Sequence, residues 1–165
     1  MDGEAILARL RERLGDALLE THDFRGDHTA VLSRDAVLGA LGFCRDDPEL
    51  AFDLLVDVTA VDYLTFPGRE DGPRFEVVYH LYSTTHNHRV RLKARVEQDD
   101  AWLPTASGLW PIANWLEREV WDMFGVRFEG HPDLRRLLLY EEFVGHPLRK
   151  DYPMERRQPL IGPKV

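Results

Sequence analysis

A chain of 165 residues, 44% apolar and 30% charged, has the length and balance of one folded domain and not of a disordered segment. Its formal net charge of -8 argues against wholesale binding to nucleic acid or anionic lipid, both of which need clustered positive charge. The single cysteine, Cys44, excludes a disulfide within the chain and a cluster held by several of its own thiolates, and fits a reducing compartment. No apolar run approaches the roughly 18 residues of a membrane span, and the acidic, mixed N-terminus is unlike a secretory signal, so membrane association is expected to be indirect.

Ile6, Leu7, Leu10 and Leu14 recur at helical spacing among charged residues, which predicts an amphipathic first helix closed by Gly15. Extended pieces follow at Leu18 to Phe24 and Thr29 to Leu32, joined by Arg25-Gly26-Asp27, a triplet read as a plain turn. Ser33 is placed to cap a second helix ending near Cys44. Phe52 to Tyr63 predicts a mostly buried strand, and Phe66 to Pro73 then breaks regular structure. Phe75, Val77, Tyr79 and Leu81 alternate with Glu76, Val78, His80 and Tyr82, as Val90, Leu92, Ala94 and Val96 do with Arg89, Arg91, Lys93 and Arg95. This period of two predicts a hairpin closed by Ser83 to Asn87. Pro111 suits the first turn of a third helix, with Ile112, Leu116, Val120 and Met123 as its apolar stripe and Gly125 as its stop. Past Tyr140, prolines prevent helix and central strand alike, so residues 1–140 read as the domain and 141–165 as an extended arm.

The densest chemistry lies between Glu117 and Leu138. Glu117 and Glu119 look like an acid–base pair, yet residues two apart point roughly 200° apart around a helix and cannot share a substrate. Arg118 and Asp122 suit a charged network across an interface, because arginine can hold carboxylates with two bonds at once; a solvated helix face is the plainer alternative. Trp121 and Phe124 lie off the centre of the stripe and either fill a second side of the core or anchor a partner. His86, His88, His131 and His146 lack a third ligand at a recognisable spacing, so a metal site is not expected; His131-Pro132 and His146-Pro147 read as loop fixtures.

Arg89, Arg91, Lys93 and Arg95 place four cations on one strand face, either solvated, guarding a sheet edge, or meeting an acidic neighbour. The tail carries Arg149, Lys150, Arg156, Arg157 and Lys164 against Asp151 and Glu155, and suits lying along another protein, where Leu148, Tyr152 and Leu160 gain partners. Phosphate loops and the Gly-x-Ser-x-Gly elbow are absent from the sequence, and Cys44 has no histidine beside it to activate it.

Glu117-Arg118-Glu119, Asp122-Met123-Phe124-Gly125, Gly130-His131-Pro132-Asp133-Leu134-Arg135-Arg136-Leu137-Leu138 and Arg149-Lys150-Asp151-Tyr152-Pro153 resemble the signature of the thirty-kilodalton subunit, lettered C, of respiratory complex I, the NADH:quinone oxidoreductase. The resemblance runs from about Phe52 to Pro153. It implies an α+β scaffold: a two-layer domain with a mixed, largely antiparallel sheet packed by helices. It implies no catalytic residue, cofactor or metal in this chain, with FMN and Fe-S clusters in partner subunits. Those partners would be subunits D, B and I, chiefly the first, over which the arm is laid. All would stand in the peripheral arm on the cytoplasmic side of the bacterial inner membrane. NADH and quinone would be substrates of the whole proton-translocating complex. The interface expected from the motifs comprises Glu117, Arg118, Glu119, Trp121, Asp122, Phe124, His131, Pro132, Arg135, Arg136, His146, Pro147, Arg149, Lys150, Asp151, Tyr152 and Pro153. An equivalent component of a membrane-bound hydrogenase, or of a ferredoxin- or deazaflavin-dependent complex, is the alternative the motifs leave open.

Overall fold

A computed structural model describes residues 1–69 and 72–159. Helix α1 (Gly3–Leu14) begins where Asp2 Oδ1 accepts the Ala5 N–H at 2.9 Å, and it buries Ile6 and Leu10. Strands β1 (Leu18–Phe24) and β2 (Asp27–Leu32) form a hairpin whose turn residues Arg25 and Gly26 both have positive φ, the turn that matches strand twist. Ser33 precedes a short 3-10 turn that runs into α2 (Val37–Asp46); its side chain makes no capping bond, and the helix continues two residues past Cys44.

Strands β3 (Leu54–Asp62), β4 (Phe75–Ser83) and β5 (His88–Val96) complete a five-stranded sheet of order β1-β2-β5-β4-β3, antiparallel except for β2 beside β5. The β4–β5 hairpin closes through Asn87, in the left-handed region, as its spacing predicts. A short parallel pair, β6 (Trp102–Pro104) and β7 (Arg127–Glu129), brackets α3 (Ala113–Phe124). One face of the large sheet supplies Leu32, Val58, Val77, Tyr79, Leu92 and Ala94 to a core shared with all three helices. This is the two-layer α+β architecture that the sequence leads one to expect.

Three expectations change. The cationic strand β5 lies inside the sheet, so its charges guard no edge. They are paired: Arg89 and Arg91 with Asp27, Lys93 and Arg95 with Glu76, and Arg95 also with Glu20. Strand β3 is itself an edge; Leu54, Val56 and Val61 face solvent, and it is half-buried, not mostly buried. In α3, Val120 and Met123 of the expected stripe are buried and Leu116 packs against the core, whereas Ile112 is exposed and caps the helix with Pro111 in the turn before it. The buried side also takes in Ala113, Phe124 and, unexpectedly, the carboxylate of Glu117. Of the breaking loop at Phe66 to Pro73, Glu70 and Asp71 lie outside the described residues, as do Leu160, Pro163 and Lys164 of the arm.

Candidate functional site

Helix α3 carries two carboxylates with no exposed surface, Glu117 and Asp122, each 0% exposed. Glu117 accepts the Ala106 N–H at 2.6 Å and the Thr105 hydroxyl at 2.5 Å, which fastens the loop after β6 to the helix. Among the described residues no cation faces it, so burial pushes its carboxyl up to about 7 against the pull of those two donors. Asp122 is also penalised by burial, but Oδ2 accepts the N–H groups of Leu137, Leu138 and Leu139 at 2.8–3.0 Å and Oδ1 the Arg136 guanidinium at 2.6 Å. These donors prevail and hold the carboxyl below its ordinary range.

The arginines continue the same theme by gripping backbone. Arg118 donates to the carbonyls of Arg135 and Arg136 at 3.1 and 3.0 Å. Arg136 donates onward to those of Phe143 and Gly145 at 2.8 and 3.2 Å, with Trp121 and Phe143 under its guanidinium. His131 Nε2 meets the Asn114 carbonyl at 3.0 Å. The carbonyls ending a helix lack partners inside it, and here the C-terminal segment takes them: His146 Nδ1 that of Asp122, the Leu148 N–H that of Met123, and Arg149 Nε that of Phe124. Gly125 stops the helix at φ 77°, and a Cβ there would stand 2.5 Å from Arg149 Nη2 and 2.6 Å from His146 Nε2.

A second clasp ties this segment to the sheet. Asp62 accepts Arg74 Nε and Nη2 at 3.0 and 2.7 Å, and Arg74 turns its other edge to Asp151 at 2.7 and 3.0 Å. Irregular backbone from 131 to 152 is thereby fixed in one shape, with Leu138, Val144 and Leu148 more than half exposed and Met154 fully exposed on its outer side. Such a run of rigidly held apolar side chains fits a docking surface, not a substrate pocket.

Residues 30–158 match the family described as the respiratory-chain NADH dehydrogenase, 30 kDa subunit. The chain belongs to that family. It is 48% identical over 154 residues to the C-lettered subunit of the NADH-quinone oxidoreductase of Roseiflexus sp. (strain RS-1), covering 93% of this chain and 86% of the relative. It is 46% identical to the same-lettered protein of Geobacter sulfurreducens, covering 98% and 97%. Among solved structures, the trypsin-resistant fragment (1-134) of Nqo5 superposes with TM-score 0.71 at 35% identity, covering 81% of this chain and 100% of the fragment. A chain of the membrane-bound sulfane sulfur reductase, an archaeal respiratory membrane complex, gives TM-score 0.74 at 28% identity, covering 93% and 86%.

Set against the thirty-kilodalton family motifs, the expected interface residues separate into two kinds. Glu117 and Asp122 have no surface with which to touch a partner, and Arg118 and Phe124 have almost none; these act inside the chain. This corrects the reading of Arg118 and Asp122 as an interfacial network, and of the two options for Phe124 the core is the one realised. Trp121 is half-buried beneath Arg136. Arg136, His146 and Arg149 likewise point their polar atoms at this chain's own backbone, and Tyr152 stacks on Phe143. Glu119, Pro132, Arg135, Lys150, Asp151 and Pro153 are exposed, His131 and Pro147 partly so.

The segment 141–159 holds no helix or strand, as its prolines require, yet it does not hang free: the hydrogen bonds named above bind it to α3, Arg136 and Arg74. None of residues 141–159 is fully buried; a few polar ties, not apolar area, hold the segment to the domain. Sequence reading gave no role to Asp62, whose only signal was an acid within a strand pattern, or to Arg74 and Thr105, which flank strands and carry no signal. It also left out of the interface Leu138, the last residue of the Gly130–Leu138 motif, and Val144, which carries no motif. His86 and His88 serve locally, each holding a carbonyl of the chain before β3, Pro48 at 2.9 Å and Leu50 at 2.7 Å.

Proposed function

We propose that this chain is a scaffold of the peripheral arm of a proton-translocating NADH:quinone oxidoreductase, holding neighbouring subunits in register without chemistry of its own. In this reading FMN and the Fe-S clusters reside in partner subunits. Of subunits D, B and I, the arm surface rests chiefly on the first, and the assembly stands on the cytoplasmic side of the bacterial inner membrane. One observation carries it: Arg118, Asp122, Arg136, His146 and Arg149 are directed into the chain's own backbone, and the segment they fix turns Leu138, Val144 and Leu148 outward. Electron transfer between subunits requires cofactors held within small tolerances, and a rigid neighbour supplies that.

The test is affinity purification of the tagged chain from gently solubilised host membranes, with mass spectrometry, flavin and cluster absorbance, and NADH:quinone activity read on the eluate. Recovery with flavin- and cluster-bearing subunits and with activity is the expected result; a colourless chain eluting alone would overturn it. A second reading, membership of a related complex with another electron donor or acceptor, is favoured by the likeness to the archaeal sulfane sulfur reductase chain. The same eluate decides between them by whether NADH reduces its chromophores.

A further inference from the structure

Asp62 does more than hold Arg74. Its two oxygens also take backbone from separate parts of the chain: Oδ1 accepts the Leu64 N–H at 3.0 Å, and Oδ2 accepts the Lys150 N–H at 2.8 Å, across 88 residues of sequence. With a side chain of 0% exposure, this carboxylate is a fixed internal post. Burial opposes its charge, but Arg74 and both N–H groups outweigh that and keep it below the ordinary carboxylate range. The loop that starts at Leu64 is stiffened again beyond it. Phe66 stands edge-on to Tyr63 at 5.4 Å, the Arg69 guanidinium lies 4.2 Å above the Tyr63 ring, and Arg69 and Tyr63 both reach buried Glu76, at 2.8 and 3.0 Å.

For all this anchoring, the loop leaves its apolar side chains outside: Phe66 is 57% exposed, with Val61 and Leu64 also in solvent. Ordering a loop is entropically unfavourable, and here it presents an aromatic ring to water. Because one carboxylate takes the N–H groups of both Leu64 and Lys150, the loop from Leu64 to Phe66 and the Leu148–Lys150 segment are held in a fixed relation to each other. We infer that the Phe66 loop is a second arm of the docking surface and is covered by the same partner subunit that covers Leu148. That partner offers an apolar socket bordered by carboxylates, since exposed Lys150, Arg156 and Arg157 outnumber the free acid Glu155 next to them, Asp151 being tied to Arg74. The inference rests on the docking reading above.

The experiment places a photo-crosslinking phenylalanine derivative at Phe66, at Leu148, or at Phe24 on the opposite edge of the sheet, in the intact complex in host membranes. Labelling of one and the same subunit from Phe66 and Leu148, and not from Phe24, is the expected result. Labelling from Leu148 alone, or of different subunits from the two, overturns this inference and leaves the docking surface standing; no oxidoreductase subunit labelled from either site overturns both. A Phe66→Ser, Leu64→Ser double variant is expected to capture the partner at least about tenfold more weakly, the usual penalty for losing an aromatic anchor, while the isolated chain keeps its unfolding midpoint. Unchanged capture overturns the inference.

Discussion

Glu117 and Asp122 lie five positions apart on one helix and are equally hidden from water, yet their carboxyls are driven in opposite directions. The difference lies in what faces them. Asp122 collects three N–H groups and a guanidinium, whereas Glu117 collects one N–H and one hydroxyl. Burial alone therefore says little about a charge; the number and sign of its donors decide. The Asp122 end has become an organiser of irregular backbone, and the Glu117 end a neutralisable tie between a loop and a helix.

Substitution at Asp122 tests this contrast most severely. Asp122→Ala leaves a mostly buried Arg136 and three N–H groups without their acceptor, and the expected loss is about 3–5 kcal/mol in urea unfolding. At Glu117 the contribution depends on pH in the direction opposite to that of Asp122. Its folded-state value near 7 lies above the ordinary 4.5, so the folded chain binds the proton more tightly. The contribution is full below 4.5, falls as pH rises toward 7, and is flat above, a swing of about 3 kcal/mol. Glu117→Gln is expected to erase that slope and to be the more stable chain at pH 8; a slope that persists in the variant would locate the titration elsewhere.

Smaller effects follow at the rim. Asp151→Ala removes a half-exposed partner of Arg74 and is expected to cost about 1 kcal/mol or less, with faster amide exchange from Leu148 to Tyr152 and little change in the sheet. Leu148→Ser, at an exposed site, is expected to shift stability within about 0.5 kcal/mol while lowering the yield of assembled complex on native gels. A Leu148→Ser chain that assembles normally would remove this side chain from the docking surface.

Much of the fold was legible because its signals are local. The alternation through Phe75 to Val96 needs only a period of two, and the first helix needs only its leucines. Strand order was not legible: Glu76, Glu20 and Asp27, which neutralise the cations of β5, reach it from three other strands, and no spacing in the sequence brings them together. The third helix was legible, and Val120 and Met123 of its stripe are buried, but an apolar pattern passes over Glu117 and accepts the exposed Ile112. For the site, the motifs single out α3 and the segments around it, but they give no sign that side chains such as Arg118 and Asp122 face inward. A charged residue reads as solvent-seeking until its backbone partners are seen, and backbone N–H groups leave no mark in a sequence.

Every anchor of the C-terminal segment lies earlier in the chain: Asp62, Arg74, Asp122 and the carbonyls of Met123 and Phe124 just before Gly125. Gly125, lacking a side chain, leaves the berth into which His146 and Arg149 descend. Timing follows from this geometry. All strands and helices among the described residues lie before residue 130, so they can form first, and until residues 146–151 dock the berth stands empty. A chain cut before residue 146 would keep every such strand and helix yet lack the segment that places Leu148.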